Sequence, residues 1–245
     1  LGRLDGFYLP PEQWGAPFIL TGGEARHLLL VLRAAPGTRV RLFDGQGHEG
    51  VFRLVEAKKD RARLEPEELR DVPPPGDGLT LAVGFSKSAR RDWLLEKAVE
   101  LGAAGLVFWQ AQHSQGRVPD APKDSWRDKL VSAAKQCGSA WLPTLSVLPG
   151  GVRELSELGK SFDDRVLLWE NETRAAFDPA ELKGSCLAVV GPEGGLTDAE
   201  AEALCAAGFA ARHLGHSVLR LETAALLTLG LAYHHRTLEL QRGRE

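Results

Sequence analysis

Residues 188–200 read AVVGPEGGLTDAE. A short apolar run ends in Gly191-Pro192-Glu193-Gly194-Gly195, and a helix start follows at once, with Thr197 as N-cap and Glu200 three residues later as its capping-box partner. A plain strand-to-helix connection needs one turn residue. Three glycines in five positions imply a sharp bend and a close approach by another group. Alone, GPEGG is equally readable as a tight turn.

Strand–helix units surround this loop. Buried strands are expected at LTLAVGF (79–85), LVFWQ (106–110), RVLLWE (165–170) and SCLAVV (185–190), with a short one at RHLG (212–215). Helices are expected at 91–102, 125–138 and 197–208, and a long one, ETAALLTLGLAYHHRTLEL, at 222–240. Such alternation implies a largely parallel sheet covered on both faces, hence an α/β fold.

Toward the N-terminus the pattern changes. DVPPPGDG at 71–78 excludes helix and central strand and reads as a linker. Before it, TRVRLFD (38–44) and EGVFRLVEA (49–57) alternate about a glycine turn and read as a hairpin. ARLE (62–65) adds an edge strand. One helix fits, with Thr21 as N-cap, Glu24 completing a capping box, and HLLLVLR following. Residues 1–70 thus read as a small β-barrel domain, 71–78 as a linker and 79–245 as an α/β domain.

With 43% hydrophobic and 26% charged residues, the 245-residue chain has the composition of a soluble globular protein. It has no apolar run long enough for a membrane span, and its first residues lack the apolar core of a signal peptide. Cys137, Cys186 and Cys205 lack metal-ligand spacing, so they are expected to be reduced, buried thiols of a cytoplasmic protein, with no metal bound. The net charge of −3 opposes wrapping of nucleic acid by bulk electrostatics. Charge is nonetheless uneven: residues 1–64 carry ten Lys/Arg against seven Asp/Glu, and residues 65–78 one against five. A basic N-terminal portion before an acidic linker leaves room for an RNA-binding face.

In open parallel sheets, ligands gather at the carboxyl ends of strands. Three loops leave strands there with unusual residues: WENET (169–173), GPEGG (191–195) and LGHSVLRLETA (214–224). Neither the dinucleotide nor the P-loop pattern is present. Arg220 and Glu222 stand at the entrance to a strongly apolar helix. Glu222 suits the helix dipole there and Arg220 could be its ion-pair partner, or the pair serves a ligand.

GPEGGLTDAE followed by LGHSVLRLETAAL resembles the signature of SPOUT-class RNA methyltransferases. More closely, it is similar to the bacterial family that methylates N3 of a uridine in 16S ribosomal RNA. HLLLVLRAAPGTRVRLFDGQG, KAVELG (97–102), QHS (112–114) and AAKQCGSAWLPTL (133–145) fall in that family's order, so the resemblance runs along nearly the whole chain. It implies a PUA-like N-terminal RNA-binding domain and a C-terminal domain with a deep trefoil knot that binds S-adenosyl-L-methionine. By position it carries cofactor contact to Leu168 and Glu170, to Gly191, Glu193 and Gly195, and to Leu214, Gly215, Val218 and Leu219. The glycines of GPEGG would let main chain approach the cofactor.

Further implications concern catalysis and RNA. Arg220 would stabilise negative charge on a uracil deprotonated at N3, with Glu222 orienting it or acting as base; His113 and His216 are further base candidates. Arg3, Arg33, Arg39 and Arg41 would contact RNA phosphate. A homodimer would form with its active site at the interface, the last helix serving it, and the substrate would be 16S rRNA in the small ribosomal subunit. Ser217 departs from the family, which has an arginine there; Arg212 or Arg117 would have to supply that charge. Two rivals remain: methylation of another RNA site such as a ribose 2′-hydroxyl, and a non-catalytic RNA-binding assembly factor.

Overall fold

The computed structural model describes residues 4–74, 78–86 and 88–243. The chain divides into two compact units, residues 1–74 with 131–142, and residues 75–130 with 143–245.

In the first unit, β1 (Gly6–Tyr8) and β2 (Phe18–Thr21) precede a short helix α1 (Gly22–Arg26) that widens into a π-helical turn at His27–Val31. Three longer strands follow, β3 (Arg39–Phe43), β4 (His48–Lys58) and β5 (Arg61–Asp71), in a sheet of order β1-β3-β4-β5-β2. The expected hairpin is β3–β4, with Phe43 opposite Glu49 and Arg39 opposite Arg53. Asp44 closes its turn by accepting the N–H groups of Gln46 (2.7 Å) and His48 (3.1 Å). Every strand sends apolar side chains into one core, Phe7 from β1, Phe18 and Leu20 from β2, Leu42, Phe52 and Leu64 from the others. The sheet therefore curls around a single interior, as a small barrel does.

Two expectations fail here for tertiary reasons. ARLE is not an edge: β5 is 11 residues long and pairs with β4 on one side and β2 on the other. Its acidic second half continues the strand, with Glu67 meeting Arg39 (2.7 Å) and Arg53 (3.5 Å). Pro66 is tolerated at a register shift, opposite Phe52. The capping box at Thr21 is also absent. Glu24 instead accepts the Tyr8 N–H (3.3 Å) and pairs with Lys135.

The second unit runs β6 (Leu79–Gly84), α2 (Ser88–Glu100), β7 (Gly105–Trp109), α3 (Asp124–Cys137), β8 (Thr144–Leu148), α4 (Val152–Gly159), β9 (Asp164–Leu168), β10 (Cys186–Val190), α5 (Asp198–Ala206), β11 (Ala210–Arg212) and α6 (Leu221–Arg242). The latter half of α3 groups with the first unit. β8 and α4 were not legible in the sequence. All strand pairs are parallel, in the order β11-β9-β10-β6-β7-β8. β6, β7 and β10 are buried along their whole length, as strands covered on both faces must be. α2 packs with α6, and α4 with α5. The capping box at the start of α5 is present, Thr197 and Glu200 satisfying each other's backbone N–H. Cys186 is buried, but Cys137 and Cys205 are exposed, against expectation.

The chain order puts β11 at the sheet edge beside β9, yet α6 packs on the central β6 and β10. Residues 213–220 must therefore cross the carboxyl ends of the strands. They do so alongside the β9–β10 connection, with His213 N–H donating to Ala175 O and Phe177 N–H to His213 O, both at 2.9 Å.

A candidate active site at the strand ends

The segments that leave β9, β10 and β11 enclose a cavity of about 460 Å³, within the size range of small-molecule sites. All nine residues expected to contact cofactor line it: Leu168 and Glu170; Gly191, Glu193 and Gly195; Leu214, Gly215, Val218 and Leu219. Arg220 and Glu222 line it as well.

The GPEGG loop has local reasons for its glycines. Gly195 donates its N–H to Pro192 O at 2.9 Å and sits at φ +72°, a conformation that favours glycine. A Cβ on Gly195 would lie 2.8 Å from Glu170 Oε1, and one on Gly194 would lie 2.8 Å from His113 Cβ. One on Gly191 would lie 2.9 Å from Leu196 Cγ. The glycines thus serve the loop's packing on its own neighbours, a reason beyond the cofactor approach expected from sequence. His113, a base candidate, is engaged in holding the same loop, because its Nδ1 lies 3.1 Å from Gly194 O and 3.3 Å from Gly195 O. Two carbonyl acceptors require Nδ1 to carry the proton and donate. His216 is exposed and stacks on His213 at 6.1 Å, while His213 Nδ1 accepts the Gly215 N–H at 3.1 Å.

The expected pairing of Arg220 with Glu222 does not occur. Positions two apart at a helix start point to different sides. Arg220 is the N-cap residue of α6, its side chain exposed and without an ion pair among the described residues. Glu222 turns instead to Arg90 on α2, 3.7 Å from its Nε, and the same guanidinium donates through Nη1 to Glu193. The hydrogen bond it donates to Glu193 and the charge of Glu222 raise the Arg90 pKa, so it stays charged. Arg90 was missed in the sequence because nothing local marks it; its partners lie more than a hundred residues away.

Several polar groups around the cavity are unsatisfied. Glu193 Oε2, Glu222 Oε2 and Trp169 Nε1 are buried with no hydrogen-bond partner among the described residues. The backbone N–H groups of residues 216–219 likewise find no acceptor among the described residues. Apolar walls come from Leu168, Val190 and Leu219, and Val218 is 83% exposed. The donor and acceptor set suits a ligand with an apolar face, a hydrogen-bonding edge and groups that can donate to carboxylate. Among the described residues, no cluster of three His, Cys, Asp or Glu could hold a metal, and no helix is long and apolar enough to cross a membrane.

Of the four arginines expected to grip RNA, Arg3 lies outside the described residues. Arg33 is exposed at φ +53°, directly after the π turn, and has no ion pair among the described residues. Arg39 is exposed and tied to Glu67. Arg41 is a correction: its side chain is 14% exposed, paired to Glu49 at 2.6 Å and stacked 4.8 Å from the Phe43 ring centre. It shares the β3 face of Arg39, but Glu49 and the Phe43 ring cover it there. Of the two arginines considered in place of Ser217, Arg212 is held by Ala211 O and Glu181, whereas Arg117 is exposed.

Residues 74–233 match the family model of an RNA methyltransferase domain, and residues 20–67 match that of an RNA methyltransferase PUA domain. The chain belongs to the RNA methyltransferase family. It is 34% identical over 229 residues to the ribosomal RNA small subunit methyltransferase E of Mycobacterium bovis, covering 88% of this chain and 86% of that one. The Bacillus subtilis protein of the same name is 30% identical, with 92% of each chain covered. Among solved structures, a ribosomal RNA small subunit methyltransferase E from Neisseria gonorrhoeae, bound to S-adenosyl methionine, superposes with a TM-score of 0.80 at 30% identity. That match covers 96% of this chain and 98% of the other. The family membership makes the α/β unit an RNA methyltransferase domain and the first unit PUA-like.

Proposed function

We propose that this RNA methyltransferase transfers a methyl group from S-adenosyl-L-methionine to N3 of a specific uridine in 16S rRNA of the small ribosomal subunit. The observation that carries the reading is the convergence of three strand-end loops on one cavity, with Arg220 exposed at its rim. The cofactor supplies an already activated methyl group, so what the protein contributes is alignment and charge control. Leu168, Val218 and Leu219 would enclose the adenine faces while unpaired N–H groups of 216–219 read its edge. Glu193, with Oε2 lacking a donor among the described residues, would accept from the cofactor's hydroxyl or ammonium groups.

Loss of the uracil imide proton spreads negative charge onto the flanking carbonyl oxygens. Arg220, exposed and without an ion pair among the described residues, can meet that charge with a planar guanidinium. Glu222 does not orient Arg220; its Oε2 faces Arg90 at 3.7 Å without a hydrogen bond among the described residues, and its carboxylate is the favoured base. Arg33 and Arg39 would contact RNA phosphate, with Arg41 supporting the sheet behind them and Arg3 joining from the N-terminus.

The finer architecture belongs to the same proposal. Residues 1–70 form the RNA-binding domain, 71–78 the linker and 79–245 the methyltransferase domain. The latter would close a deep trefoil knot, supported by the passage of 213–220 beside residues 175–177 before α6 returns to the sheet centre. A cytoplasmic homodimer would form along α6, where Leu227, Leu231 and Leu238 are spaced to lie near one helix face, each more than a third exposed. The active site would then be completed at that interface.

The test is transfer of labelled methyl to small subunits from cells lacking this activity, with the product nucleoside identified by mass spectrometry. N3-methyluridine from wild type, and little from an Arg220→Ala variant that still binds S-adenosylmethionine, is expected. A 2′-O-methyl product would redirect the assignment, and no transfer by a folded protein would favour a non-catalytic RNA-binding role.

A further inference from the structure

Arg90 is not among the residues that the sequence marks, yet it reaches two walls of the cavity at once. It stands near the start of α2, Glu193 in the loop after β10, and Glu222 in the first turn of α6. Nη1 donates to Glu193 Oε1, and Nε lies 3.7 Å from Glu222 Oε2. A planar guanidinium can address two carboxylates through separate nitrogens; an ammonium is a single point charge and cannot reproduce that geometry.

The carboxylates need such a partner. Two anions facing one cavity repel, and burial of an unpaired carboxylate oxygen is costly. The other charged or titratable groups around the cavity are Glu170, His213, His216 and Arg220, and among the described residues none of them pairs with Glu193 or Glu222. Arg91, the next residue on α2, is turned away over the rings of Phe85 (5.5 Å) and Trp126 (4.6 Å). Arg90 is thus the counter-charge to both; Glu193 keeps an Oε2 without a hydrogen-bond donor among the described residues, and so does Glu222, whose Oε2 is the oxygen that faces Arg90 at ion-pair distance.

We propose that Arg90 is a positioning residue that ties the β10 loop to the first turn of α6 and thereby aims the second oxygen of Glu193 at the bound ligand and holds the Glu222 carboxylate at the cavity wall. The inference rests on the reading of this cavity as the S-adenosylmethionine site. Its role is carried through the two glutamates.

The experiment compares wild type, Arg90→Gln and Arg90→Lys by two readouts on the full chain. One is the carboxyl ¹³C chemical shifts of ¹³C-glutamate-labelled protein at a single pH by NMR, with Glu193 and Glu222 assigned from Glu193→Gln and Glu222→Gln. The other is S-adenosylmethionine binding by calorimetry. In folded Arg90→Gln, both carboxyl resonances should move from their wild-type positions at the same pH, because the guanidinium that holds them is gone. Cofactor binding should weaken about 10-fold or more, the size of a lost charge-assisted contact. Arg90→Lys should not restore the binding, because it replaces charge without the two-way geometry. In a Glu193→Gln/Glu222→Gln background, removing Arg90 should change binding by less than about 2-fold, as expected when a residue acts only through partners already lost. Unchanged carboxyl resonances in folded Arg90→Gln, or an undiminished loss in the double-glutamine background, would overturn the proposal. If wild type binds no S-adenosylmethionine, the cofactor reading fails, and the carboxyl resonances still decide whether Arg90 governs the two glutamates.

Discussion

Gly84→Ala adds one methyl group at the end of β6, where the strand meets the GPEGG loop. The Cβ would stand 2.4 Å from Pro192 N, 2.7 Å from Pro192 Cδ and 2.8 Å from Pro192 Cα. Ordinary carbon contacts lie at about 3.5–4.0 Å, so the loop must retreat by roughly 1 Å. Neither side yields easily: Gly84 is paired with Trp109 inside the sheet, and the obstruction is main chain and a proline ring. Overpacking of this kind costs about 1–3 kcal/mol. For a chain of this size that is a fall in Tm of about 2–4 °C per kcal/mol. Pro192 also carries the carbonyl that accepts the Gly195 N–H, so its displacement should weaken S-adenosylmethionine binding beyond the stability loss. Differential scanning calorimetry and cofactor titration of the same variant read both effects. Gly230→Ala is the control: it lies within α6, and its Cβ would meet nothing within 4 Å. It should gain up to about 1 kcal/mol from helix propensity. A Gly84→Ala protein that melts and binds as wild type does would refute the close-approach argument.

Three further outcomes follow from particular groups. His48 donates to the buried Asp44 at 2.5 Å, and that hydrogen bond raises its pKa above 6.5. Its contribution is full below pH 6.5 and is lost as pH rises through the raised value. Hydrogen exchange of β3 and β4 amides should therefore quicken across that window more in wild type than in His48→Gln; equal profiles would remove the linkage. Arg236 on α6 donates to the carbonyls of Leu101 and Gly102 at 2.8 Å each, so Arg236→Met should lower stability by about 1–3 kcal/mol, seen as a reduced urea midpoint with unchanged slope. Burial pushes the Cys186 thiol up to about 12, whereas Cys137 and Cys205 are exposed. Iodoacetamide at about pH 8 should label those two in the native protein and leave Cys186 intact by mass spectrometry; labelling of all three at similar rates would contradict its burial.

Features carried by neighbouring residues were legible in the sequence, because their causes are local. The β3–β4 hairpin follows from strict alternation about a glycine turn, and the α5 capping box from a threonine and a glutamate three positions apart. The parallel sheet follows from apolar runs alternating with helices, and the three ligand-facing loops from abrupt changes of composition at strand ends.

What only the tertiary structure decided is which distant groups compete for each side chain. The same Thr-x-x-Glu pattern caps α5 but not α1, because Lys135, 111 residues away, takes the Glu24 carboxylate. Arg220 and Glu222 stand two apart in sequence and separate in space, since a helix turns them to different sides, and Arg90 captures the glutamate from α2. Arg41 looks like its neighbour Arg39 in sequence, yet it is held against Phe43 and Glu49. A charge seeks the strongest available partner, and in a folded chain that partner is set by packing across the sheet rather than by spacing along it.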